Sequence, residues 1–169
     1  KVPKGNLVGE VNAGWSIAKR LLQFERSSLA EVKTDITSLA PLAHDYLGTD
    51  AQGRIADADL RGRLIHNAMR HTAYMATVRR FAEEAKNGGP GNGISALKNL
   101  WSGIIQRRAE LLVEVLGANG LGWAGDAYAE DEREATRALL HSKAFSIYGG
   151  SYEVQNNITA KRSLGLPDR

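Results

Sequence analysis

The chain has 169 residues, 24% of them charged and 43% hydrophobic, with a net charge of +3 and no cysteine. That length holds one domain with a real core, and the mild charge, with no basic block interleaved with aromatics, gives no support to a nucleic-acid partner. No run of about 18 apolar residues offers a membrane span, disulfide and thiolate chemistry are excluded, and His44, His66, His71 and His141 show no metal-ligand grouping.

Residues 1–12, punctuated by Pro3, Gly5 and Gly9, read as extended chain or loop. They look like an exit from a preceding structure, so the chain is expected to be a piece of a longer protein. A first helix is expected from Ala13 to Tyr46, with Asn12 as N-cap and Pro41 kinking it or ending it early. Leu47 to Ala58, with Gly48 and Gly53, is a loop. A second helix begins near Asp57 or Asp59 and runs to Lys86, with Leu60, Leu64, Ala68, Met75, Val78 and Ala82 inward. Asn87 to Gly93 carries four glycines and Pro90 and breaks the chain. A third helix covers Ile94 to Leu116, a short fourth Asp131 to His141 and a last one Tyr152 to Ser163, closed by Gly165 and Pro167. Long helices with apolar seams predict an all-α fold, an up-and-down four-helix bundle with an extra short C-terminal helix.

Two charges interrupt the seams. Steps of three and four along the first helix pick out Trp15, Ala18, Leu22, Glu25, Leu29, Val32, Ile36, Leu39, Ala43 and Tyr46, of which only Glu25 is charged. A carboxylate on an apolar seam either finds a basic partner or has its pKa raised by desolvation, and a raised carboxyl pKa suits a general base near neutral pH. Both readings are open on spacing alone, since Arg26 follows at once and ion-pair networks also place acids in seams. On the third helix Arg108 interrupts Ile94, Leu97, Trp101, Ile104, Leu111 and Val115, as a structural cation or as partner of a seam acid.

Ile147-Tyr148-Gly149-Gly150-Ser151 is a tight turn feeding a helix N-terminus, where glycines admit close approach and free N–H groups favour an electron-rich ligand. Most such turns only connect helices. The longer run IYGGSYEVQNNITAKRSLGLP, Ile147 to Pro167, resembles the end of acyl-CoA dehydrogenases. Three further segments resemble that family in the same order: VPKGNLVGEVNAGW (Val2 to Trp15), LLQFERSSLA (Leu21 to Ala30) and EVLGANG (Glu114 to Gly120). The resemblance covers essentially the whole chain. It implies that residues 1–12 are a linker leaving a β-domain and that residues 13–169 are the family's C-terminal helical domain, the last third of an enzyme.

The resemblance also implies a chemistry, α,β-dehydrogenation of an acyl-CoA thioester with FAD. In many members the catalytic glutamate directly follows the tyrosine of the turn, which here is Gly149. In members resembling the isovaleryl- and long-chain-type enzymes it comes from the first bundle helix, just before an arginine, which here is Glu25 before Arg26. Glu25 is then the base for the α-proton, while the β-hydrogen leaves as hydride to the flavin. Gly150 is the expected backbone donor to the thioester oxygen, with Arg26, Tyr148 and Gly149 facing substrate. Ser151 and Glu153 are expected to touch the flavin, and Glu114, Gly117 and Ala118 to meet the flavin of a neighbouring subunit.

Two departures stand out. Glutamate and alanine, Glu114 and Ala118, replace a glutamine and a glycine, and a carboxylate would repel a pyrophosphate. The family's arginine-x-x-phenylalanine-glycine motif has no counterpart in Tyr46 to Leu60. Arg54, Arg61 and Arg63 lie nearby without its flanking pattern, so cross-subunit FAD binding is expected to be weaker or differently made. The partners implied are an acyl-CoA, electron-transfer flavoprotein as oxidant, and other subunits in a homo- or hetero-oligomer, a dimer or tetramer. The location implied is the cytoplasm of a bacterium or a mitochondrial matrix. The alternative is a helical oligomerisation module, or a subunit whose chemistry depends on a partner chain.

Overall fold

The computed structural model describes residues 1–28, 39–88 and 94–167, without the side chains of residues 23–28, Ala85 and Ile94. The described residues are all-helical, as expected. Their only β pairing is an isolated antiparallel bridge between Thr49 and Ile55. Six α-helices occur among them: α1 (Gly14–Ser28), α2 (Leu39–Leu47), α3 (Ala58–Lys86), α4 (Ile94–Leu116), α5 (Glu130–Ser142) and α6 (Tyr152–Arg162). The chain forms two compact units, Lys1–Lys33 and Thr34–Arg169.

In the first unit, Asn12 is not the cap of α1. It takes a left-handed φ of +70°, and the Ala13 carbonyl accepts from the N–H of Ser16 and Ile17, so the helix starts one residue later than expected. Of the expected stripe, Ala18 and Leu22 are half-buried. Trp15 is 71% exposed, because residues 1–12 of its own unit are exposed and give it little to pack against. Leu29, Val32 and Ile36 lie outside the described residues, and so do the side chains of Glu25 and Arg26.

In the second unit α4 is the spine, packed against α2, α3, α5 and α6. Pro41 is the third described residue of α2, and the Thr37 carbonyl that an N–H at this position would meet in a continuous helix lies outside the described residues. Asp57 caps α3: its Oδ1 accepts the Leu60 N–H at 2.9 Å. The loop ahead of it is organised by Asp50, which accepts the N–H groups of Gln52 and Arg54, both at 3.0 Å, and the Arg54 guanidinium at 2.8 Å. That order carries Ile55 into a core with Leu39, Ala43, Leu60, Leu64, Leu111 and Val115.

The seam of α4 is as expected, with Leu97, Trp101, Ile104, Leu111 and Val115 buried. The expected inward line of α3 holds at Leu60 and Leu64, with Ala68, Met75 and Val78 half-buried, but the buried line takes other residues as well. It follows Leu60, Leu64, Asn67, His71 and Tyr74, and Ala82 is exposed. A buried amide belongs on that line because Asn67 donates to the Ile104 carbonyl at 3.1 Å. Arg108 is half-buried, and its charge adds to burial in holding His71 below the usual imidazole value.

A polar bolt joins α2 to α5. The Tyr46 hydroxyl donates to Glu132 Oε1 at 2.8 Å, and Glu132 Oε2 accepts the Ala129 N–H at 2.7 Å, closing the first turn of α5. That hydrogen bond, then burial, then the carboxylate charge push the Tyr46 phenol from 10.0 up to about 12. A folded pKa raised above the unfolded one gives stability that is complete below pH 10 and lost as pH rises from 10 toward 12. Tyr46→Phe is therefore expected to cost about 1.5 kcal/mol at neutral pH. Denaturant unfolding at a series of pH values should show that cost shrinking through the same window. A pH-independent difference would contradict the bolt.

Candidate functional site

The turn between α5 and α6 is built on a polar row of α4. Lys98, Ser102 and Gln106 stand four residues apart and therefore share a helix face. Each reaches a backbone carbonyl of the turn. Gln106 Nε2 donates to the Ser142 carbonyl and to Ser146 Oγ, both at 3.1 Å. Ser102 Oγ donates to the Phe145 carbonyl at 2.7 Å, and Lys98 Nζ to the Gly150 carbonyl at 2.6 Å. From α6, Gln155 Nε2 donates to the Gly149 carbonyl at 2.6 Å. Tyr152 OH donates to the Asn99 carbonyl at 3.1 Å, and Asn99 Nδ2 to Asn156 Oδ1 at 2.9 Å. Lys98 and Gln155 are 5% and 0% exposed, so these bonds are made away from water, where an unmet polar group is costly. Burial holds the Lys98 ammonium below its usual value, and it lies 5.9 Å from the centre of the Tyr152 ring.

The two glycines of the turn do different work. Both have positive φ, +70° at Gly149 and +103° at Gly150, a region L-residues rarely enter. A Cβ on Gly150 would stand 2.7 Å from Gln155 Nε2, so the glycine admits the buried amide rather than a ligand. A Cβ on Gly149 would meet nothing within 4 Å. Tyr148 packs on Phe145 with ring centres 5.3 Å apart, and burial raises its phenol. Ser151 precedes the first residue of α6 and donates to Glu153 Oε2 at 2.6 Å, which holds Glu153 below the usual carboxylate range.

The expected site residues fall into three places. Tyr148, Gly149, Gly150, Ser151 and Glu153 come together on this turn. Glu114, Gly117 and Ala118 lie at the other end of α4, sixteen residues from Lys98, or roughly 24 Å of helix. Glu25 and Arg26 belong to the first unit, with their side chains outside the described residues. Sequence reasoning missed Lys98, Ser102, Gln106 and Gln155. Polar residues repeating every four positions beside an apolar seam were the available signal for the first three.

At the far end, Glu114 is paired. The Arg63 guanidinium makes a two-pronged contact with both its oxygens, one prong at 2.6 Å, and also donates to Asp59 at 2.7 Å. Arg63 holds the Glu114 carboxyl below the usual range. Two carboxylates thus share one guanidinium. Arg54 is bound to Asp50, and Arg61 donates to the Ile55 carbonyl. Among the described residues no three His, Asp or Glu side chains group as metal ligands. No described helix is long and apolar enough to cross a membrane.

The family model of the acyl-CoA dehydrogenase C-terminal domain matches residues 12–164. The acyl-CoA dehydrogenase IpdE1 of Mycobacterium tuberculosis is 33% identical over 95% of this chain and 40% of its own length. This chain therefore spans about 40% of the curated relatives it matches first. Among solved structures, the steroid acyl-CoA dehydrogenase Tcur3481-Tcur3483, a G363A variant, superposes with a TM-score of 0.76 at 19% identity, covering 99% of this chain and 44% of that one. The ChsE4-ChsE5 complex of M. tuberculosis gives 0.68 at 22% identity over 99% of this chain and 44% of that one. At those identities the likeness speaks for the fold alone. The chain belongs to the acyl-CoA dehydrogenase family, as its C-terminal domain.

Proposed function

We propose that the full-length parent of this chain is an FAD-dependent acyl-CoA dehydrogenase in which Glu25 removes the α-proton of an acyl-CoA thioester. The observation that carries this reading is the Tyr148–Ser151 turn. Its carbonyls are spent on Lys98 and Gln155, and Gly149, where many members carry the base, has open space beside its Cα. A site with no carboxylate at that place needs one from elsewhere, and Glu25 with its following arginine is the family's other position for it. An acyl α C–H is very weakly acidic, so the thioester oxygen must be stabilised as charge develops, which is the task of backbone donors such as Gly150 N–H. Hydride acceptance is the chemistry a bound FAD supplies.

The residues fit that cofactor at one place and not at the other. At the start of α6 the helix N-terminus suits a polar, electron-rich group, while the Ser151 hydroxyl is given to the Glu153 carboxylate, which also takes its own backbone N–H. At the end of α4, Glu114 is an anion shared with Asp59 on Arg63, and Arg54 and Arg61 are engaged within their own loop. Among the described residues the cations that act on Glu114, Arg63 and Arg107, are each paired with a carboxylate, so neither is spare for a pyrophosphate. This disfavours a symmetric homodimer whose flavins are completed by this corner. It favours the second reading, in which the chain works as one subunit of a heteromeric dehydrogenase. Two of the matched structures carry paired names, Tcur3481-Tcur3483 and ChsE4-ChsE5. Electron-transfer flavoprotein is the proposed oxidant, and the cytoplasm of a bacterium the proposed location.

The test is an anaerobic titration of the full-length holoprotein, alone and with candidate partner chains, using straight, branched and polycyclic acyl-CoAs. Bleaching of the flavin absorbance by one class is the expected result and names the substrate. Absence of bleaching by every class, with flavin bound and partner present, would overturn the dehydrogenase reading.

A further inference from the structure

We propose that α6 is a polar strap that opens and closes on α4 independently of the α3–α4 pair, and that a ligand at its N-terminus holds it closed. The inference rests on the reading above only for the identity of that ligand, FAD.

Burial sets α6 apart from its neighbours. The α3–α4 pair closes over Leu60, Leu64, Tyr74, Trp101, Ile104 and Leu111, all buried. Helix α2 buries Leu39 and Ala43, and α5 buries Ala135. In α6 the one buried residue is an amide, Gln155. The apolar residues of α6 are half-buried or exposed, and Leu164 and Leu166 beyond its end are exposed as well. Apolar burial is the main force that docks one element on another, so α6 adds little to its own docking.

What holds α6 is polar. Asn99 Nδ2 donates to Asn156 Oδ1 at 2.9 Å, and Tyr152 OH donates to the Asn99 carbonyl at 3.1 Å. Each of these bonds replaces one to water and yields a small net gain. The same helix pair also carries buried polar atoms with nothing to meet. Asn99 Oδ1, Gln155 Oε1 and Thr159 Oγ1 have no hydrogen-bond partner among the described residues. All three gain water when α6 lifts away, which favours opening. Eleven residues are too few to stand as a helix alone, and Asn156, Asn157 and Thr159 are poor helix formers. Undocking is therefore melting, and the backbone amides of α6 report it.

Closure and ligand binding are then one equilibrium. The aligned N–H groups at the start of α6 exist only while the helix is formed. A group that needs them binds the closed state and shifts the strap toward closure. Conversely, the fraction closed scales the apparent affinity for that group.

The experiment is hydrogen–deuterium exchange of the full-length protein, as apoprotein and loaded with FAD, under conditions where opening and closing outrun chemical exchange. Rates are taken relative to the unfolded chain. In the apoprotein, residues 156–162 are expected to exchange at least about 10²-fold faster than residues 101–115 of α4. FAD is expected to slow residues 156–162 by about tenfold or more and to leave residues 101–115 within about twofold. Thr159→Val keeps the shape and removes one orphaned oxygen, so it is expected to slow α6 by about fivefold or more in the apoprotein. Asn99→Ala removes the tie to Asn156 and is expected to speed it, with residues 101–115 unchanged. Equal protection of α4 and α6 in the apoprotein would overturn the proposal, as would variants that shift both helices together. Flavin that binds without slowing α6 would overturn it too, and would leave the dehydrogenase reading standing. If FAD does not bind, that reading falls and FAD falls as the ligand. The apoprotein comparison and the two variants then decide whether α6 opens on its own.

Discussion

Glu25→Gln in the full-length parent is expected to lower turnover by at least 10²- to 10⁴-fold, the usual worth of a positioned general base, with flavin content and oligomeric state unchanged. Glutamine has the shape of glutamate and keeps an acceptor oxygen, but it cannot take a proton at neutral pH. Rapid-mixing bleaching, flavin content and sedimentation together separate loss of the base from loss of the fold. Full activity in the variant would sink the assignment. A second substitution sharpens the test. Gly149 has a φ of +70° and open space where a Cβ would project. Glutamate there pays about 1–2 kcal/mol of backbone strain, and its Cβ meets no described heavy atom within 4 Å. In the Glu25→Gln background, Gly149→Glu is expected to restore a measurable fraction of bleaching, as the family's alternative base position would require. If the double variant stays as dead as the single one, the inference from the glycine at position 149 to the glutamate at position 25 loses its support.

How far the sequence shows this architecture depends on whether a feature is local. The bounds of α3 and α4 are legible because strong breakers flank them: Asp57 offers its carboxylate to the Leu60 N–H, and the glycine-rich run after Lys86 ends the helical pattern. The two short helices near the end are legible for the same reason, with acids opening α5 and Gly165 with Pro167 following α6. Asn12 shows the limit. Its type suits a cap, but a left-handed turn suits asparagine equally, and the helix begins at Gly14 with the Ala13 carbonyl accepting its first bonds. The α3 stripe is misread at Asn67 and Tyr74, because Asn67 belongs inside only through the Ile104 carbonyl across the helix pair.

The Glu114–Arg63 pair lay between these cases. The contacts of Asn67 with Ile104, Tyr74 with Trp101 and Arg63 with Glu114 show α3 and α4 running antiparallel. An antiparallel pair brings the start of α3 near the end of α4, and so an arginine within reach of the unusual glutamate, although the pairing is not set by equal distance from the break at 87–93. What that pairing does could not be inferred: Glu114 and Asp59 share the single guanidinium of Arg63, which leaves the three groups with a net negative charge. The support of the turn between α5 and α6 was harder still. Lys98 and Gln155 act through backbone carbonyls some 52 and 6 residues away, and a carbonyl leaves no mark in a sequence. The motif residues of the turn were visible; the side chains that aim them were not.

Trp101→Ala is expected to be among the most destabilising single substitutions in this domain. Trp101 is 2% exposed, with the Tyr74 ring 5.3 Å and the His71 ring 6.2 Å from its own. Truncating a buried tryptophan costs about 3–5 kcal/mol, a large part of the roughly 5–15 kcal/mol that holds a domain together. At about 2–4 °C per kcal/mol for a domain of this size, the thermal midpoint of the helical domain should fall by on the order of 10 °C. Trp101→Phe should behave differently. It keeps the aromatic contact with Tyr74, and it removes an indole N–H that is buried with no acceptor among the described residues. The smaller volume and the relieved donor oppose each other, so a loss of about 1 kcal/mol or less is expected. The contrast ties stability to function, because Trp101 lies one turn from Lys98 on the same helix. If α4 is the spine that aims the turn, Trp101→Ala should slow bleaching even at temperatures where the protein remains folded, and Trp101→Phe should not. Equal thermal midpoints for the two variants would mean that the helix pair is not held by this seam. A slow, fully folded Trp101→Phe would mean that the indole itself, rather than the packing of α4, supports the site.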